Sequence, residues 1–166
     1  MYPTATHRTT WILAATLAAA VVAGCATPPA PATIAEVAAR TPQLSTLNKL
    51  IADAGLGETL RADGPLTVFA PTDAAFAALP AKTRADLADK ERLKAVLTYH
   101  VVPGRLTAAQ IKPESLKTVN GASVGVSKAG SFVTYDEALV VQADMPATNG
   151  VVHLIDKVVV PPAPRR

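Results

Sequence analysis

Gly64-Pro65-Leu66-Thr67-Val68-Phe69-Ala70-Pro71-Thr72-Asp73-Ala74-Ala75-Phe76 compresses a strand, a stop and a helix start into one short stretch. Leu66 to Phe69 are apolar, β-branched or aromatic and lie between two prolines, the pattern of a short strand. Thr72 and Asp73 are cap-forming side chains placed just before Phe76. They predict a helix through Leu79, which Pro80 ends. The stretch therefore reads as a strand-to-helix joint.

Helical spacing dominates on the N-terminal side of this joint. Thr33 predicts a cap for a short helix through Ala39, and Thr41-Pro42 supplies a cap followed by proline at the first helical position. Leu44, Leu47, Leu50 and Ile51 fall on one face, and Gly55 or Gly57 ends that element. Downstream, Thr83 with Asp86 predicts another helix start. Leu93, Val96 and Leu97 form the apolar face of a helix from Lys90 to Tyr99. Pro103-Gly104 turns the chain, and Thr107-Ala108-Ala109-Gln110 is a capping-box pattern.

Beyond that point the period changes from helical to alternating. Asn120-Gly121 is a strong hairpin signal and Lys128-Ala129-Gly130 a second reversal. Phe132–Tyr135, Ala138–Ala143 and Val151–Val160 predict strands. In the last of these, Val152, Leu154 and Val158 oppose Val151, Ile155 and Val159, so both faces are apolar, as in a buried strand. Asn149-Gly150 predicts a tight turn with positive φ just before it. The fold class is α+β, with helices mainly in the N-terminal half and antiparallel strands in the C-terminal half.

The chain has 166 residues, 49% of them apolar and 4% aromatic, with one Cys and three His. That apolar content excludes a mainly disordered protein, and a single Cys excludes a disulfide framework or a multi-Cys metal site. Residues 1–24 hold one base, Arg8, and no acid, so residues 25–166 carry 15 basic and 13 acidic groups. A domain so nearly balanced, without interleaved bases and aromatics, predicts no nucleic-acid binding.

The N-terminus reads as an address. Trp11 to Ala23 is apolar apart from Thr16, a run too short for the roughly 30 Å hydrocarbon core of a bilayer and suited to a secretory signal. Val22-Ala23-Gly24-Cys25 resembles the bacterial lipobox. That resemblance implies cleavage before Cys25, lipidation of its thiol and attachment to a membrane, with palmitate or a similar chain on the new amine. Ala26 in place of Asp implies outer-membrane sorting in a Gram-negative cell. The expected organisation is a signal peptide at 1–24, a lipidated Cys with a Pro/Ala-rich tether at 25–32, one domain at 33–160 and a Pro/Arg tail at 161–166.

Three stretches resemble one family, the fasciclin (FAS1) domain. The joint at Gly64–Phe76 resembles its first signature, and Leu97-Thr98-Tyr99-His100-Val101-Val102-Pro103-Gly104 its central Tyr-His motif. Asn149-Gly150-Val151-Val152-His153-Leu154-Ile155-Asp156-Lys157-Val158-Val159-Val160-Pro161 is similar to its second signature. Their order and spacing match, and the likeness covers essentially Thr33–Pro161. It implies a wedge-shaped β-sandwich with several helices, an extracellular or cell-envelope location and a role in adhesion. Neither the ligand nor the oligomeric state follows from it.

Candidate chemistry is sparse. The resemblance connects Tyr99 and His100 with adhesion in animal members, so they form the candidate interaction motif. Against this stands a buried His100 holding the helix-to-strand joint by hydrogen bonds to backbone. His153, between apolar strand neighbours, reads as structural. A metal site built on these two histidines with Asp73 or Asp156 lacks a third His after signal removal, and none is expected. Ser45, Ser115, Ser123, Ser127 and Ser131 lack a nucleophile-elbow context. The acidic pairs Asp136-Glu137 and Asp89 with Glu91 read as solvated surface. No phosphate loop or dinucleotide fingerprint is present. The expectation is a lipid-anchored adhesion or interaction module, not an enzyme, without a cofactor, that meets a protein or polysaccharide at the cell surface. Two alternatives stay open: an envelope protein that handles a small ligand or lipid, and a stress-related structural spacer.

Overall fold

The computed structural model describes residues 32–61 and 64–162. The expected signal peptide, Cys25 and most of the expected tether lie outside the described residues. So does the end of the tail. Helices come first: α1 (Ile34–Arg40), a 3-10 turn (Pro42–Leu44), α2 (Ser45–Asp53) and α3 (Gly57–Arg61) precede strand β1 (Leu66–Pro71). Three more, α4 (Asp73–Ala77), α5 (Ala81–Asp86) and α6 (Lys90–Tyr99), lead into β2 (Val101–Pro103). The chain then forms β3 (Glu114–Lys117), β4 (Ser123–Ala129), β5 (Phe132–Tyr135), β6 (Ala138–Ala147) and β7 (Gly150–Ile155).

The strands follow the order β2-β1-β7-β6-β5-β4-β3. Every ladder is antiparallel except β1 with β7, where Leu66 to Pro71 pair in parallel with Gly150 to Ile155. A strand from the helical half thus sits beside the last strand. β6 carries register shifts between Val140 and Gln142 and between Gln142 and Met145. Bulges of this kind bend a long strand, and here they let one sheet fold over itself. The far edges nearly meet, because the N–H of Val119, just past β3, donates to the carbonyl of Val101 at 2.8 Å.

Two apolar cores result. The first lies between the helices and the central strands and includes Ile34, Leu47, Leu97, Val68, Ala70, Val152 and Leu154. The second lies inside the folded sheet and includes Phe69, Val124, Val133, Tyr135, Ile155 and Val159. β1 and β7 are the wall between them. That is why every residue of β7 is buried and why its sequence is apolar on both faces.

Local expectations fare unevenly. Thr33 caps α1 with a full capping box to Glu36, and Gly55 follows α2 at φ +69°. The turn between β4 and β5 places Gly130 at φ +63°, where a side chain would be strained. Other expectations are corrected. Thr72, not Asp73, caps α4, and that helix ends at Ala77. α5 starts at Ala81 after Pro80, upstream of Thr83. The Thr107–Gln110 box closes a turn without a helix, the Gln110 carboxamide oxygen accepting from the Thr107 N–H at 3.0 Å. β7 ends at Ile155 rather than Val160, because Asp156 turns back to accept the N–H of Leu139 at 2.7 Å.

Candidate functional site at the Tyr99–His100 joint

Asp89 starts α6 by accepting the N–H of Arg92, so the acid read as solvated surface is a cap. The helix ends at Tyr99, and the side chains of Tyr99 and of the capping residue His100 turn inward. Tyr99 is 3% and His100 2% exposed. The candidate interaction motif therefore lies in the interior, with neither side chain forming an open surface.

His100 joins four parts of the domain. Its backbone N–H closes α6 on Val96 and Leu97, and its carbonyl accepts the N–H of Phe69 in β1. Its Nδ1 donates to the Val96 carbonyl at 2.8 Å. Its Nε2 accepts the N–H of Val159 at 3.2 Å. The ring stacks on Tyr135, with centroids 6.2 Å apart. Only the neutral Nδ1–H tautomer satisfies both contacts. Burial pushes its pKa down to about 4 from the ordinary 6.5, against an opposing pull from the Val96 carbonyl.

His153 is the counterpart on β7. Its Nδ1 accepts the N–H of Asp144, at 3.1 Å, and its Nε2 donates to the carbonyl of Leu106 at 2.8 Å. Burial lowers its pKa, opposed by that carbonyl and by the Asp144 carboxylate. The same loop is held by Thr67, whose hydroxyl donates to the Gly104 carbonyl at 2.7 Å and accepts the N–H of Leu106 at 2.9 Å. Asp144 has φ +57° in the β6 bulge, and its carboxylate accepts the N–H of Ala108 at 2.8 Å.

The two histidines flank an aromatic pair. Phe69 and Tyr135 stack at 4.0 Å, and His153 lies against Phe69 at 5.2 Å. The hydroxyl of Tyr135 donates to the Tyr99 carbonyl, and that of Tyr99 to the Ser123 carbonyl at 3.3 Å. Burial raises the pKa of both tyrosines, and the Asp136 carboxylate adds to the effect. All four imidazole nitrogens are occupied by backbone groups. Among the described residues no three His, Cys, Asp or Glu side chains come together as a metal site.

The flanking signature residues also hold backbone. Asp73 accepts from the Thr46 N–H at 2.7 Å and from the Ser45 hydroxyl at 2.8 Å. Burial pushes its carboxyl up, but those donors outweigh it and hold the group below its ordinary range. Asn149 accepts the N–H of Ile34 at 2.9 Å and donates to the Leu60 carbonyl at 2.8 Å. Gly150 does not adopt the positive φ expected of it; a Cβ there would lie 1.8 Å from the Leu66 carbonyl oxygen. The glycine exists for close approach of β7 to β1. Sequence reasoning reads Asp73 as a cap but gives it to the wrong helix, because the helix it caps, α2, lies elsewhere in the chain.

Between the helices and the sheet, beside His100, Leu47 and Leu97, lies a cavity of about 20 Å³. Among the described residues, the large apolar side chains left exposed are Val119, Phe132, Val141 and Val160, with Phe132 at 63% beside the β4–β5 turn.

Comparison with known proteins matches this arrangement. The Fasciclin domain model covers residues 42–161. Protein sll1483 of Synechocystis sp. is 46% identical over 133 residues, 78% of this chain and 74% of that protein. Cell surface glycolipoprotein MPB83 of Mycobacterium bovis is 38% identical over 148 residues, 86% of this chain and 64% of that protein. The FAS1 domain pair from the insect cell adhesion molecule Fasciclin I shares the fold, with a TM-score of 0.60 and 24% identity over 73% of this chain and 46% of that one. Signatures, fold and relatives agree that this chain belongs to the fasciclin domain family.

Proposed function

We propose that the chain is a lipid-anchored fasciclin module of the bacterial cell envelope that works by binding a protein or polysaccharide, without catalysis. Family membership supports a cell-surface, adhesion-type role: one relative is named a cell surface glycolipoprotein and the fold is shared with an insect cell adhesion molecule. The observation that carries the non-catalytic part is the satisfaction of the signature residues. His100, His153 and Asn149 spend polar atoms on backbone groups, and Asp73 spends its carboxylate on the Thr46 N–H and the Ser45 hydroxyl, so binding falls to the outer surface. The lipid-handling reading is less favoured, because it expects a pocket between helices and sheet, where the cavity holds about 20 Å³ against roughly 300–1,000 Å³ for ligand pockets. The cleft of about 790 Å³ beside α6 is lined by charged side chains, Asp86, Asp89, Glu91 and Arg92. Cys25 carries the anchor in this reading, with the outer membrane as destination in a Gram-negative cell.

The test expresses the full chain in a bacterial host fed labelled palmitate and then measures binding of the isolated protein to cell-envelope fractions and to collagen-coated surfaces. Label that disappears in Cys25→Ser, with saturable binding retained by both forms, is the expected result. Label retained in Cys25→Ser removes the anchor, and a folded protein that binds neither surface removes the interaction role.

A further inference from the structure

We infer that His100 is an acid-sensitive latch: its protonation frees the segment Lys157–Val160 from the domain while the β1–β7 wall stays folded. Past Ile155 the chain leaves the sheet; Asp156 stays tied to Leu139, Val158 packs against the first core, and the return is locked at Val159. The Val159 N–H donates to Nε2 of His100 at 3.2 Å, and the Val159 side chain inserts into the second core. Nδ1 is already committed as a donor to the Val96 carbonyl. A proton can therefore be added only at Nε2, where it faces the N–H of Val159. Two donors then point at each other, and the amide loses its acceptor in the buried interior.

The surroundings give the cation no support. The titratable side chains facing the ring are Tyr99 on α6 and Tyr135 on β5, and burial keeps both uncharged through acid and neutral pH. β1 and the C-terminal segment present Phe69 and Val159. His153 differs, since Asp144 beside it favours its charged form. Depressed basicity at His100 has the same origin as the latch, burial without a counter-charge.

Release alters a surface. Val160, Pro161 and Pro162 form one wall of a cleft of about 790 Å³, with Arg92 and Val96 of α6 and Asn120 opposite. Detaching that wall joins the cleft to the socket vacated by Val159 and brings solvent to Tyr99 and His100. The otherwise buried Tyr-His motif becomes accessible only in the acid form.

The test is amide hydrogen exchange by NMR on the full chain from pH 7 to pH 4, with protection corrected for intrinsic rates and the His100 ring nitrogens followed alongside. A latch with these ionisation properties lowers the protection factor of Val159 about tenfold per pH unit between pH 6 and pH 4. Val152 in β7 and Phe69 in β1 keep theirs. His100→Gln, which can still offer an acceptor to Val159 but does not titrate, should remove the pH dependence. If that variant misfolds, the wild-type titration decides: Val159 must open in step with charging of the His100 ring. Protection at Val159 that persists to pH 4 overturns the latch. Loss shared equally by Val152, or loss unchanged in His100→Gln, overturns it too.

Discussion

The carboxylate of Asp73 accepts the backbone N–H of Thr46 at 2.7 Å, across 27 residues of sequence. α2 has no capping side chain of its own, because its N-cap residue is Leu44. An acid in the first turn of α4 therefore caps a different helix and ties the first signature to the N-terminal half. Removing such a cap costs about 1–2 kcal/mol. Asp73→Ala should lower the denaturation midpoint accordingly, while Asp73→Asn, which keeps an acceptor, should lose less. Equal stability of all three proteins in urea would show that the contact carries no weight.

Gly150 and the Leu66 carbonyl set a stricter limit. A methyl group on Gly150 would sit 1.8 Å from that oxygen and 2.9 Å from Ile34 Cδ1, so β7 would have to move off β1. Overpacking of this severity costs about 3 kcal/mol or more. Gly150→Ala should therefore fold poorly, with near-ultraviolet circular dichroism reporting loss of the aromatic packing around Phe69. A variant with native spectrum and midpoint would mean that the strands part at little cost.

Phe69 is fully buried and stacked between Tyr135 and His153. Truncating a core phenylalanine costs about 3–5 kcal/mol, a large share of the roughly 5–15 kcal/mol that holds a typical domain together. Phe69→Ala should be the most damaging of the substitutions on β1, and calorimetry of it beside Val68→Ala provides the comparison.

Stability should fall in acid before the carboxylates titrate. His100 has a pKa near 4 in the folded chain against 6.5 unfolded, so the unfolded state binds the extra proton between those values. Its stabilising contribution is complete above pH 6.5 and disappears on descent toward pH 4, worth at most about 3 kcal/mol. His153 adds to it in the same direction. Asp73 acts lower down: its pKa lies below 3.8, so its contribution persists above that value and is lost beneath it. Thermal melts at half-unit intervals separate the two windows. A midpoint flat from pH 7 to pH 4.5 would remove the histidine account.

Much of this architecture is legible in the chain itself, where local signals act over short distances. The Thr33 capping box, the apolar stripe through Leu47 and Ile51 and the Gly130 reversal all involve neighbours in sequence. The doubly apolar Val151–Ile155 run announces a buried strand. What escaped reading acts through space. The parallel pairing of β1 with β7 has no local mark, nor does Asp73 capping α2, and Gly150 looks like a turn glycine until Leu66 lies beside it. Thr107–Gln110 has cap chemistry but no apolar face behind it, so it stays a turn. At the candidate site, the structural alternative for His100 is visible in its place at the helix-to-strand joint, while the partners Val159 and Val96 are not. An interior Tyr99 was hidden because a helix end gives no sign of which strand will cover it.

The central claim is that the Tyr-His motif builds the domain and the outer surface binds. It is tested most directly by measuring, at pH 7.5, the binding isotherm of the full chain and of His100→Gln on the same envelope fraction, beside their melting temperatures. The account predicts a lower melting temperature for the variant and the same dissociation constant per folded molecule. Unchanged stability with binding lost would contradict it and make His100 a contact residue.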